Sequence, residues 1–187
     1  MIREITKNDF NGLMMLYRQL HNNPIPEKTT SILKLWENIL IDKNHHIIVA
    51  EENGEIVSSC VCVIIPNLTH QQQPYALIEN VITAESHRKK GFATQCLQYA
   101  KELAQKENCY KMMLLTGSKE ESTLHFYEQA GYNQNDKTAF IQWLLLGSIA
   151  KSTILQYRQC IAGGGFAAAF SGTANNTVVC NRGQYII

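Results

Sequence analysis

The stretch of this 187-residue chain best equipped for chemistry is IENVITAESHRKKGFATQCL, residues 78–97. Within it Arg88, Lys89, Lys90, Gly91, Phe92, Ala93 and Thr94 form a basic, glycine-containing turn at the start of a helical pattern. The first N–H groups of a helix have no partner inside it and converge at the positive end of its dipole, which is what a pyrophosphate needs. Gly91 and Ala93 let the backbone approach a phosphate without side-chain obstruction. The three cations add charge, although at a solvated turn each contributes little. Taken alone, R-x-x-G-x-A is equally a helix start carrying a surface basic cluster.

Other reactive side chains do not assemble in the same way. Cys60, Cys62, Cys96, Cys109, Cys160 and Cys180 form no C-x-x-C pair and none of the paired spacings that mark zinc sites. Free thiols are expected, with Cys60 and Cys62 on one face of a strand, and no metal. His45, His46, His87 and His125 have no recognisable partner in the sequence and are expected to be surface or structural histidines.

The elements that must position the basic turn follow from hydrophobic spacing. Residues 2–5 read as a strand, and Thr6 with Asp9 signals the start of a helix carrying Phe10, Leu13, Met14 and Tyr17 to about residue 20. After the proline-containing loop HNNPIPEK, Ile32, Leu35, Trp36 and Ile39 mark a second amphipathic helix. Apolar runs at 46–50 and 56–65 flank Asn53-Gly54, a strong hairpin signal. A loop at 66–74 precedes a strand at 75–83, so three strands form a meander. A long helix follows from Gly91 to Lys106, with Ala93, Cys96, Leu97, Ala100, Leu103 and Ala104 on one face, and then a short buried strand at 111–116. Strand, crossover helix and strand make a βαβ-like unit, and its strand-to-helix turn is a usual anion site. Ser118 and Glu121 predict a capping box for a helix over 119–129, Gly131 stops it, and 138–146 reads as a closing strand.

Composition sets the outer limits. A chain of this length with 45% hydrophobic residues suits one globular domain with an ordinary core. Lys plus Arg (17) nearly balance Asp plus Glu (16), so a nucleic-acid partner is not expected. No apolar stretch approaches the ~20 residues of a membrane span, and MIREITKNDF lacks the apolar core of a signal peptide. No membrane partner and a cytoplasmic location are the expectation.

Residues 88–93 resemble the Q/R-x-x-G-x-G/A signature of the GNAT superfamily of N-acetyltransferases, and the strand ALIENVIT before them is similar to that family's fourth strand. Farther on, His125-Phe126-Tyr127-Glu128-Gln129-Ala130-Gly131-Tyr132 resembles the family's later F-Y-x-x-x-G-F/Y motif. The resemblance covers about residues 1–146. It implies an α/β (α+β) fold, a mixed, mostly antiparallel sheet of about six or seven strands with helices on both faces. It also implies acetyl-CoA as cosubstrate, with the fourth strand splayed from the fifth so that its backbone pairs with pantetheine. In that frame Val81 aims its N–H at the thioester carbonyl, Ile82 and Thr83 face the pantetheine arm, and residues 88–94 cradle the pyrophosphate.

Tyr127 matches the family's usual general acid, a phenol of ordinary pKa about 10 serving a thiolate of about 8.5; otherwise it is a buried aromatic beside Phe126. Glu79, read as lying on the same strand face as Val81, is the base for the incoming ammonium, or else a carboxylate in a structural ion pair. One departure is Glu120, where many members carry asparagine seven residues before the tyrosine. The implied reaction is direct acetyl transfer in a ternary complex to a primary amine on a small molecule or a protein, and a homodimer is one assembly open to it. A non-catalytic, CoA-responsive binding module is the competing possibility. From Gly147 onward no acidic residue occurs and GGGFAAAFSG is low in complexity, so residues 147–187 read as a loosely attached extension of unknown role.

Overall fold

A computed structural model describes residues 1–21 and 24–144. Five strands lie in chain order in one sheet: β1 (Ile2–Glu4), β2 (His45–Glu52), β3 (Glu55–Ile65), β4 (Tyr75–Thr83) and β5 (Met112–Leu114). The first three pairings are antiparallel and the last, β4 with β5, is parallel. A parallel neighbour needs a crossover, which α3 (Phe92–Lys106) provides. The remaining helices are α1 (Phe10–His21), α2 (Thr30–Ile41) and α4 (Glu121–Gln129).

Side-chain alternation divides the core between the two faces of the sheet. Ile47, Val49 and Val61 face α1 and α2, where they meet Phe10, Leu13 and Trp36. Ile48, Cys60, Cys62, Ala76 and Ile78 face the other way, toward Cys96, Leu97 and Ala100 of α3, with Phe126 and Tyr127 of α4 packed alongside. Cys60 and Cys62 therefore share one face, and burial pushes the Cys62 thiol up to about 12. The helices on the first face are tied down locally. Thr29 caps α2 by accepting from the Ile32 N–H at 3.3 Å, and Trp36 meets Phe10 edge-on at 5.4 Å while donating to the Lys7 carbonyl. Asn53 and Gly54 have φ of 52° and 81°, the two positive values that a tight β2–β3 hairpin requires.

An acid-sensitive clamp joins β1 to the start of α1. Arg3 reaches Asp9 at 2.6 and 2.8 Å and Glu51 at 2.7 Å, and the Asp9 carboxylate also accepts from the Thr6 N–H at 2.6 Å. The Arg3 hydrogen bond, with a smaller contribution from Thr6, holds the Asp9 carboxyl down to about 2 from 3.8. Since the folded value is depressed, this stabilisation is full above 3.8 and is lost as pH falls through about 2. Asp9→Asn should therefore cost on the order of 2 kcal/mol at neutral pH, and the gap from wild type should narrow near pH 2 in urea unfolding. A gap that does not change with pH would assign Asp9 a purely steric role.

The structure corrects several expectations. β5 is only three residues long, against the expected 111–116. Residues 138–144 form no strand, and five strands are present among the described residues rather than six or seven. The class is nevertheless the expected mixed, mostly antiparallel sheet with helices on both faces. α4 starts at Glu121 rather than at 119, because Ser118 Oγ accepts from the Glu120 N–H at 3.2 Å in a turn before the helix instead of closing a capping box. The expected extension at 147–187 lies outside the described residues.

Candidate functional site

β4 is the element that makes a site. Its first part pairs with β5 at Ala76–Met112, Leu77–Met113 and Ile78–Leu114, and residues 79–83 then continue with no β5 partner. On the other side the strand stays paired with β3, with Glu79 opposite Val61 and Ile82 opposite Ser59. Three steps along β4 against two along β3 leave an extra residue, a β-bulge at Asn80 and Val81. Asn80 takes φ of 51°, left-handed backbone in a non-glycine residue. Ile82 and Thr83 are buried, and Ser58 Oγ engages both the Ile82 carbonyl and the Thr83 hydroxyl at 2.8 Å. Toward β5, these residues present backbone rather than side chain.

The bulge also corrects one expectation. Cross-strand partners share a face, so Glu79 lies with Val61 on the α1–α2 side, whereas Val81 packs into the cluster on the α3 side. The two do not share a strand face, because the additional residue interrupts the period of two.

The basic turn follows β4 after a single short helical turn, Glu85–His87. Gly91 precedes α3 with φ of 81°, and the first helical bond runs from Gln95 N–H to the Gly91 carbonyl at 3.0 Å. The N–H groups of Phe92, Ala93 and Thr94 come before that bond and have no acceptor within the helix. Lys89 is also left-handed, at 61°. Arg88 Nε is buried and has no hydrogen-bond partner, while Lys90 Nζ stands 3.6 Å from Glu52. Lys89 and Thr94 are exposed, and Ala93 is buried. Sequence neighbours thus become a turn with two left-handed residues, free helix N–H groups and one unsatisfied guanidinium nitrogen.

Tyr127 is half-buried between Phe126 and Tyr132, with ring centroids at 5.1 and 6.0 Å. Burial pushes its phenol up to about 12, and the neighbouring Cys60 and Glu79 add to the rise. The carboxyl of Glu79 is itself raised by burial. Glu79, forty-eight positions earlier in sequence, adds to the rise at Tyr127 less than burial does. A phenol that stays protonated can donate a proton, and a carboxylate can accept one.

Some site neighbours had no signal in the sequence. His87 has a partner after all, Glu52 at 3.1 Å, and His46 pairs with Glu4 at 2.9 Å. On the α1–α2 face, Tyr17 Oη and Ser59 Oγ are buried without satisfactory hydrogen bonds, and burial pushes the Tyr17 phenol up to about 12, partly offset by the nearby Ser59. The loop at 66–74 stands at the opposite end of β4 from the basic turn. There His70 stacks on Tyr110 at 4.0 Å.

The acetyltransferase (GNAT) family matches residues 10–132, spanning α1 through α4 and both halves of this site. The chain belongs to the GNAT family of acetyltransferases. Among solved structures, a putative acetyltransferase from Agrobacterium tumefaciens str. C58 is 36% identical with a TM-score of 0.71, the match covering 76% of this chain and 99% of that one. A transcriptional regulator from Bacillus halodurans C-125 is 27% identical with a TM-score of 0.69, over 76% and 99%. The glucosamine-6-phosphate N-acetyltransferase of Arabidopsis thaliana shares the fold, with 22% identity and a TM-score of 0.67 over 76% and 97%. GNAT enzymes use acetyl-CoA, so the family defines the acyl donor against which the turn and β4 are to be judged. This GNAT chain departs from the common pattern at Glu120, which serves as the residue before α4.

Proposed function

We propose that this protein is an N-acetyltransferase that moves the acetyl group of acetyl-CoA to a primary amine by direct attack in a ternary complex. What supports the reading above all is that β4 runs on past the end of β5 at residues 79–83, with Tyr127 packed on the same cluster as Val81 and Leu114 and the basic turn farther along the chain. The residues suit a pyrophosphate-bearing thioester. Arg88 Nε lacks a partner, Gly91 brings backbone close, and the first N–H groups of α3 converge there. Arg88, Lys89, Lys90, Gly91, Phe92, Ala93 and Thr94 would hold the diphosphate, and the edge of β4 at Val81, Ile82 and Thr83, which has no β5 partner, would accept the pantetheine as an added strand.

Acetyl-CoA supplies an activated acyl carbon. Glu79 takes a proton from the ammonium, freeing the nitrogen lone pair to attack that carbon. The Val81 N–H steadies the charge that develops on the carbonyl oxygen. Tyr127 then protonates the sulfur as the C–S bond breaks, and the second proton shed by the attacking nitrogen restores the phenol, giving an amide and free CoA. A phenol at about 12 is a weak donor to a thiolate of about 8.5 in water. The desolvation that raises the phenol acts equally on a thiolate beside it, which narrows that gap.

The test is an amine panel with acetyl-CoA, following amide formation by mass spectrometry together with thermal stabilisation by the donor. Amide formation with at least one amine class is expected. Stabilisation by acetyl-CoA without acetylation of any amine, polyamine, amino sugar or peptide would instead identify a CoA-responsive binding module. Because burial raises the Glu79 carboxyl, the acid limb of kcat/KM should lie above the ordinary glutamate range and disappear in Glu79→Gln.

A further inference from the structure

We infer that Glu52 is a positioning residue for the acetyl-CoA pyrophosphate, acting through His87; this rests on the assignment of residues 88–94 to that group. Glu52 ends β2, next to the Asn53-Gly54 hairpin turn and more than thirty residues before the basic turn. Its Oε2 stands 3.1 Å from His87 Nε2 and 3.6 Å from Lys90 Nζ. An ionised carboxylate only accepts, so the Nε2–H donates to it, and Nδ1 is left to Ser86 Oγ at 2.8 Å. The imidazole is held at both nitrogens. Its ring also packs against Phe92, the first residue of α3, at 6.2 Å, and its backbone N–H donates to the Ala84 carbonyl at 2.8 Å.

The turn needs such a hold. Lys89 and Gly91 are both left-handed, and for lysine that conformation costs about 1–2 kcal/mol. A strained turn keeps its shape only when the residues flanking it are fixed by other elements. On one side the packing of α3 does this through Ala93 and Leu97. On the other side the anchor is His87, and of the groups that hold its ring Glu52 is the one supplied by a distant element, β2.

The charge of Glu52 makes the role testable by sign. Coulomb repulsion alone disfavours a carboxylate close to a bound pyrophosphate, so deleting it should tighten binding. Positioning predicts the reverse whenever the hydrogen-bond acceptor is lost. Glu52→Gln keeps an acceptor and removes the charge, whereas Glu52→Ala removes both. Calorimetry with acetyl-CoA and with S-acetylpantetheine, which lacks the pyrophosphate, separates the effects.

Glu52→Ala and His87→Ala should each weaken acetyl-CoA about tenfold, and the double variant no further, while S-acetylpantetheine binding stays within about twofold. Glu52→Gln should bind acetyl-CoA as well as wild type or better. Unchanged or tighter acetyl-CoA binding in Glu52→Ala overturns the inference. So does an equal loss for both ligands, or a Glu52→Gln variant as weak as Glu52→Ala. A wild-type protein that binds acetyl-CoA no better than S-acetylpantetheine would remove the pyrophosphate assignment itself, and the role of Glu52 with it.

Discussion

Replacing Gly91 by glutamate is expected to weaken acetyl-CoA binding about a hundredfold, or ~2.7 kcal/mol, while leaving the circular-dichroism spectrum nearly unchanged. Two effects act together. Gly91 sits at φ of 81°, where any L side chain is strained, and the new carboxylate would enter the turn that is proposed to receive a diphosphate. Space is not the obstacle, since a Cβ at this position meets only the Gln95 amide nitrogen at 3.8 Å. Gly91→Ala therefore serves as the control, carrying the backbone strain without the charge. It should lose some stability and far less affinity than Gly91→Glu. Titration calorimetry that gives a folded Gly91→Glu protein within threefold of wild type would place the diphosphate elsewhere.

Tyr127→Phe should lower kcat by about a hundredfold or more, with little change in acetyl-CoA affinity. The ring contacts with Phe126 and Tyr132 are retained in the variant, so only the hydroxyl is lost. The sign of the pH effect follows from the phenol at about 12. Tyr127 is protonated throughout the neutral range, so the wild-type enzyme should show no decline from its ionisation there, and the variant should be slower by the same factor across that range. Steady-state kinetics at several pH values, paired with calorimetry, checks both statements. A variant with near-normal kcat would return Tyr127 to a packing role and leave the sulfur to be protonated by solvent or by another group.

The positions of Glu52 and Glu79 show where sequence reasoning stops. Glu79 is singled out by its place in the strand leading to a recognisable motif, but the face it occupies differs from the one that strict alternation gives. A period of two carries a strand assignment only until a bulge inserts a residue, and nothing in Glu79-Asn80-Val81 announces one. Glu52 was not found, because one carboxylate next to a hairpin turn resembles many others. It acquires meaning only when β2 and the 85–87 turn are brought to within 3.1 Å of one another.

The sequence by itself determined the order of elements from β1 to α4, the tight turn at Asn53-Gly54, the shared face of Cys60 and Cys62, and the family. These are local matters, decided by hydrophobic period, by backbone permissiveness at glycine and by short motifs. Tertiary structure decided how far β5 runs beside β4, and therefore how much of β4 stays unpaired. It decided that residues 138–144 form no strand, although Thr138, Ala139, Phe140, Ile141 and Trp143 have the composition of one. It also decided that His87 is anchored to Glu52 and that the Tyr127 phenol is buried enough to stay protonated. Strand pairing and desolvation depend on which distant segments come together, and that information is spread over the whole chain rather than held in any one window of it.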